Sequence, residues 1–108
     1  MNKLALAVTV AAIAVVPVAH ADTAALAKEK QCLTCHTAKK DGERGPSFKA
    51  IAEKYKGLSN ASAVLVQKVK VGGEGHWGTE KMPGGGKARP AVSEDEAKEL
   101  VNWVLGQK

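Results

Sequence analysis

The stretch QCLTCHTAKK, residues 31 to 40, holds both cysteines of the chain, two residues apart, with a histidine directly behind the second. On a helical turn, residues three apart share a face, so Cys32 and Cys35 can present both sulfurs to one flat object while His36 points an imidazole towards its middle. A porphyrin with two vinyl groups and a central iron has that shape. Cys-x-x-Cys-His is the attachment signature of a c-type haem, in which the thiols become thioethers and the histidine becomes the proximal iron ligand.

The first residues bear on that reading because covalent haem attachment of this kind is expected outside the cytoplasm. Lys3 gives a positive start, Leu4 to Val16 is a run of 13 residues with Thr9 its only polar member, and Ala19-His20-Ala21 is a small-x-small cleavage site. Residues 1–21 therefore read as a secretory signal peptide, cleaved after Ala21. An uncleaved anchor is the competing reading, but the run falls short of the roughly 20 residues that a spanning helix needs. The mature chain is expected to be Asp22 to Lys108, one domain of 87 residues with no internal repeat and no dividing linker.

So short a chain buries a smaller share of its surface than a larger one, and something beyond its apolar core should staple it. The full chain has 16 Lys and Arg against 11 Asp and Glu; removing Lys3 with the leader leaves 15 against 11, a formal +4. An exported protein rarely meets nucleic acid, and no basic run interleaved with aromatics is present. An acidic protein partner or a membrane surface suits the charge better, beside the plain alternative of a solvated surface.

Thr23 to Gln31 is almost entirely strong helix formers, with Thr23 able to cap and Leu26, the Lys30 stem and Leu33 spaced to share a face. Gly45-Pro46 closes a polar loop, after which Phe48, Ile51, Ala52 and Tyr55 recur at helical spacing before Gly57. A third helix is predicted from Asn60, capped by its side chain, with Val64, Leu65, the Lys68 stem and Val69 or Val71 on its apolar face. Gly72 to Val92 reads as one long loop with little intrinsic order. The last helix is the clearest: Ser93 and Glu96 form a capping box, and Ala97, Leu100, Val101, Val104 and Leu105 make one stripe. With no strand pattern competing, the class is all-α.

The plainer readings of the cysteines each meet an obstacle. A redox dithiol normally sits in a strand-helix-strand setting, which this chain lacks. Structural zinc wants four ligands, and the mature chain offers Cys32, Cys35, His36 and His76, with His36 awkwardly adjacent to Cys35. A disulfide explains neither His36 nor the glycine-rich loop. If His36 takes one face of an iron, Met82, the only methionine of the mature chain, is the favoured ligand for the other; it lies in HWGTEKMPGGG, directly before Pro83, and competes with His76.

With these residues in place, the chain resembles the class I c-type cytochromes of the small bacterial c-551, c-552 and c8 type. The resemblance covers nearly all of Asp22 to Lys108 and rests on Cys32-x-x-Cys35-His36, Gly45-Pro46, Trp77-Gly78 ahead of Met82-Pro83, and the ending VSEDEAKELVNWVLGQK. It implies about four helices around one haem c attached through Cys32 and Cys35, with iron held by His36 and Met82. It also implies that the Pro46 carbonyl receives the His36 Nδ1 proton, that Trp77 lies near a haem propionate with Lys68, and that Trp103 packs the last helix on the first. The stretch Gly84 to Arg89 is longer than the connection the resemblance implies after the methionine.

The function implied is that of a soluble periplasmic one-electron carrier between respiratory redox proteins, not an enzyme and monomeric. Its partners would be donor and acceptor redox proteins, met transiently and steered by Lys39, Lys40, Lys81 and Lys87. The alternative is a five-coordinate haem protein that binds gas or peroxide because Met82 does not hold the iron. A thiol-disulfide protein using Cys32 and Cys35 is the reading without haem.

Overall fold

Thr23–Glu29 forms α1 in the computed structural model, which describes residue 5 and residues 7–12, 22–42, 44–74 and 80–108. Three more helices follow, α2 (Phe48–Tyr55), α3 (Ala61–Val71) and α4 (Glu94–Leu105), so the fold is all-α with four helices. The cleavage site Ala19-His20-Ala21, His76 and Trp77 lie outside the described residues. Among the described residues, no helix is long and apolar enough to cross a membrane.

The Ser93 start is as expected, Ser47 supplies a cap that the sequence reading did not single out, and the Asn60 and Thr23 starts depart from expectation. Ser47 and Ser93 have extended backbones, which aim their hydroxyls at the helix: Ser47 Oγ accepts from Ala50 N at 3.1 Å and Ser93 Oγ from Glu96 N at 3.1 Å. Asn60 precedes α3 but at φ −99, ψ 7, away from the extended geometry of a side-chain cap, and makes no such bond. Thr23 does not cap α1 either. It is fully buried, and its hydroxyl donates to Glu99 Oε1 of α4 at 3.0 Å, because a buried hydroxyl must find an acceptor.

Just beyond α1, Gln31 has φ 61 and is the one non-glycine residue in the left-handed region among those described. The conformation costs about 1–2 kcal/mol. It swings the chain into a short 3-10 turn, Cys32–Thr34, and turns Leu33 outward to 45% exposure, off the face shared by Leu26 and Lys30. The core lies where α1, α3 and α4 meet, built from Ala27, Val66, Ala97, Leu100 and Val101, with Val92 closing it.

Val66, absent from the predicted face of α3, is buried in the core. Leu65 and Val69 pack against that same core and, with Lys68, line a hollow beside it, while Val71 is 70% exposed. Beyond α3 the chain makes β1 (Gly72–Gly73), which pairs antiparallel with β2 (Met82–Pro83), Gly72 opposite Pro83 and Gly73 opposite Met82. Two residues are too few to show an alternating pattern in a sequence, so the expectation of an unordered loop fails here.

The capping box of α4 is complete, since Glu96 Oε1 also accepts from Ser93 N at 3.0 Å. That backbone N–H holds the Glu96 carboxyl below the usual carboxylate range, as the Ser47 N–H does for Asp41 at 2.8 Å and the Lys70 ammonium for Glu94 at 2.5 Å. A carboxyl with a depressed folded pKa contributes stability above its unfolded value and loses it as pH falls through the folded one. Thermal stability should therefore be level from neutral pH to about pH 5 and fall below about pH 4. Ser93→Ala should cost about 1 kcal/mol at neutral pH and shallow that acid limb, as followed by circular dichroism.

Candidate functional site

The 3-10 turn does for the cysteines what a helical turn would do, since side chains three apart eclipse in this geometry. Cys32 and Cys35 are half-buried and unbridged. Burial pushes the Cys32 thiol above its ordinary value, and the nearby Arg89 guanidinium opposes this less strongly.

His36 follows the turn and is fixed by its neighbours. Its Nδ1 lies 2.7 Å from the Pro46 carbonyl oxygen, and because a carbonyl only accepts, Nδ1 carries a proton, so that in the neutral ring Nε2 is the nitrogen with the lone pair. The ring stacks on Phe48 at 5.5 Å, and Phe48 in turn meets the edge of Trp103 at 5.1 Å. Gly45 makes room for it: a Cβ there would stand 3.0 Å from His36 Cε1 and 3.1 Å from the Cys35 carbonyl. Gly45→Ala should tilt the imidazole and cost about 1–3 kcal/mol of stability, read as a lowered unfolding midpoint.

Met82 sits in β2, half-buried, brought to the same place by its pairing with Gly73. Three hollows share His36 and Met82 as walls. One of them gathers Cys32, Cys35, His36 and Met82 together with Arg89. A second is walled by apolar side chains, Phe48, Leu65, Val69, Leu100 and Trp103 among them. The third brings in Pro46, Ile51, Tyr55 and Lys68.

This lining fits a haem. Two thiols on one turn, an imidazole with its lone pair available, a thioether and an apolar cleft make a donor set and a shape that suit a covalently held iron macrocycle. The sequence profile of the cytochrome c family matches residues 21–108. The chain belongs to the cytochrome c family. Cytochrome c-551 of Pseudomonas aeruginosa is 42% identical over 88 residues, covering 81% of this chain and 78% of that protein. Cytochrome c-552 of Hydrogenobacter thermophilus is 40% identical over 83 residues, 77% and 79% of the two chains. The crystal structure of Nitrosomonas europaea cytochrome c552 matches with a TM-score of 0.70 at 38% identity, covering 79% of this chain and 99% of that one. The cytochrome carries haem c with its iron, and its small c-551 and c-552 relatives place it among electron-transport proteins.

Several residues of the site were not singled out in the sequence. Ile51, Tyr55 and Leu65 belong to recognised helical stripes, yet they face the hollows. Arg44 and Lys81 are exposed residues on the rim, Lys81 at 76% and paired with Glu74 at 3.1 Å, whereas Lys39, Lys40 and Lys87 line none of the three hollows. Arg89 had no signal at all: it stands among glycines and prolines, and nothing in that spacing says that it turns inward.

Proposed function

We propose that the cytochrome is a periplasmic one-electron carrier whose mature chain, Asp22 to Lys108, bears one haem attached through Cys32 and Cys35 and ligated by His36 and Met82. The observation that supports this most is that His36, with its Nε2 lone pair available, and Met82 share the walls of one hollow that also holds both thiols. Haem c supplies one-electron chemistry there, its iron moving between ferric and ferrous. His36 and Met82 would hold the iron between them and leave no position for oxygen or substrate, which supports electron transfer in place of catalysis.

The remaining residues serve that role. Pro46 fixes the imidazole plane through Nδ1, and Phe48 backs it. The apolar wall of Leu65, Val69 and Leu100 keeps water from the iron and so favours the reduced state. Lys68, half-buried at the cleft, would meet a propionate carboxylate, and Trp77 would serve the same propionate, as the resemblance implies. Arg44 and Lys81 on the rim favour small, transient contacts with acidic donor and acceptor proteins, made by a monomer.

Two measurements test the proposal together. The haem should stay with the chain through denaturing electrophoresis and be lost when Cys32 and Cys35 are both alanine. The protein should also take up one electron reversibly in a spectroscopic titration. Haem that is extracted from the wild-type chain on denaturation, or a preparation without haem, would sink the reading.

A further inference from the structure

Arg89 is 9% exposed, and its guanidinium is bonded to main chain alone. Nε donates to the Pro83 carbonyl at 3.1 Å, Nη2 donates to the Val69 carbonyl, and Nη1 is buried with no hydrogen-bond partner among the described residues. Burying a cation with one donor left over is unfavourable, and a hydrocarbon of similar volume would fill the space without that cost. The guanidinium must therefore do something that a hydrocarbon cannot.

Its two bonds identify the task. Val69 is in the last turn of α3, where carbonyls have no partner within the helix. Of the neighbouring carbonyls, Lys68 O is capped by Gly72 N, and Lys70 O accepts from Gly85 N at 3.0 Å, in the same segment as Arg89. Gly84 lies so close that a Cβ there would stand 2.9 Å from the Val71 carbonyl oxygen. Gly86 N donates to the Arg89 carbonyl at 2.8 Å and closes the loop on itself. Residues 84–89 thus form a cap folded over the end of α3, and the Pro83 carbonyl that Arg89 grips follows Met82 directly.

We propose that Arg89 is a positioning residue for Met82, its buried guanidinium forking between the carbonyls of Val69 and Pro83 so that β2 is clamped to the end of α3 with the thioether turned into the hollow. The proposal rests on Met82 being an iron ligand. A planar fork is what two carbonyls on different segments require, and an ammonium on a flexible stem does not replace it. The extra length between Met82 and α4 is then what lets an arginine reach back, rather than slack that frees the ligand.

Carbon monoxide uptake by the reduced holoprotein tests this, with Arg89→Lys, Arg89→Met and Lys30→Met compared with wild type. Lys30 ties the far end of the same loop, through the Ala91 carbonyl at 3.0 Å and Glu96 at 3.3 Å, but has no bond to β2. Both Arg89 variants should bind carbon monoxide at least about tenfold faster than wild type, while Lys30→Met stays within about twofold. Arg89 variants as closed as a closed wild type, rescue by lysine, or an equal gain in Lys30→Met would overturn the proposal. Uptake by the wild-type protein itself would instead overturn Met82 ligation, and the proposal with it. Where neither Arg89 variant matures, exchange of the Arg89 Nε proton in the wild type decides: protection of at least about 100-fold supports the clamp, and exchange at the rate of a free guanidinium contradicts it.

Discussion

Met82→Ala is expected to turn a protein closed to carbon monoxide into one that binds it on mixing in the reduced state. Met82 is a wall of all three hollows and the only methionine of residues 22–108, so its removal would take away the ligand proposed to share the iron with His36. The other residues of that wall offer no replacement of the same softness in the same place. The reduction potential should fall as well, by on the order of 100 mV out of the roughly 0.8 V that axial ligands span, because the thioether favours the ferrous state. The helices should survive, since the α1, α3 and α4 core does not include Met82. A Met82→Ala protein that excludes carbon monoxide and keeps its potential would show that another group holds the sixth position.

Gly72→Ala is expected to destabilise the protein by about 2–4 kcal/mol and to loosen Met82 at the same time. Gly72 has φ 80, and a Cβ there would lie 2.3 Å from the Met82 carbonyl oxygen and 2.7 Å from Gly84 N, both main-chain atoms that cannot swing aside. The strand carrying Met82 would have to leave the end of α3. Gly57 makes the comparison clean, because it has φ 77 with nothing near the missing Cβ. Gly57→Ala should therefore show the backbone strain alone, about 1 kcal/mol, with no change in Met82. Equal losses in the two variants, by thermal unfolding of the holoproteins, would mean that β2 does not press on Gly72 as the structure has it.

The contrast between these glycines also explains what was legible beforehand. The attachment turn, α2 and α4 could be read because their signals are local: three fixed residues in five, the Ser93 capping box, an apolar stripe of period 3.6. The stretch from Gly72 to Val92 misled because glycine in a sequence signifies either freedom or close approach. Here it is close approach, with Gly72 and Gly84 both touching main chain across the gap. Long-range contacts carry no spacing signature, so Thr23 was assigned to its own helix and not to Glu99, and Val66 was not picked out among the apolar residues of α3 that pack on the core. Arg89 was invisible for the same reason: its partners, Val69 and Pro83, lie on different segments.

His36 and Met82 are proposed to hold one iron between them in the native protein. The visible spectrum of the protein isolated from the periplasm, recorded oxidised, reduced, and reduced under carbon monoxide, tests this most directly. A low-spin c-type spectrum that carbon monoxide leaves unchanged is the predicted result. A high-spin spectrum, or one that shifts at once under carbon monoxide, would contradict it and point to a haem protein that binds gas or peroxide.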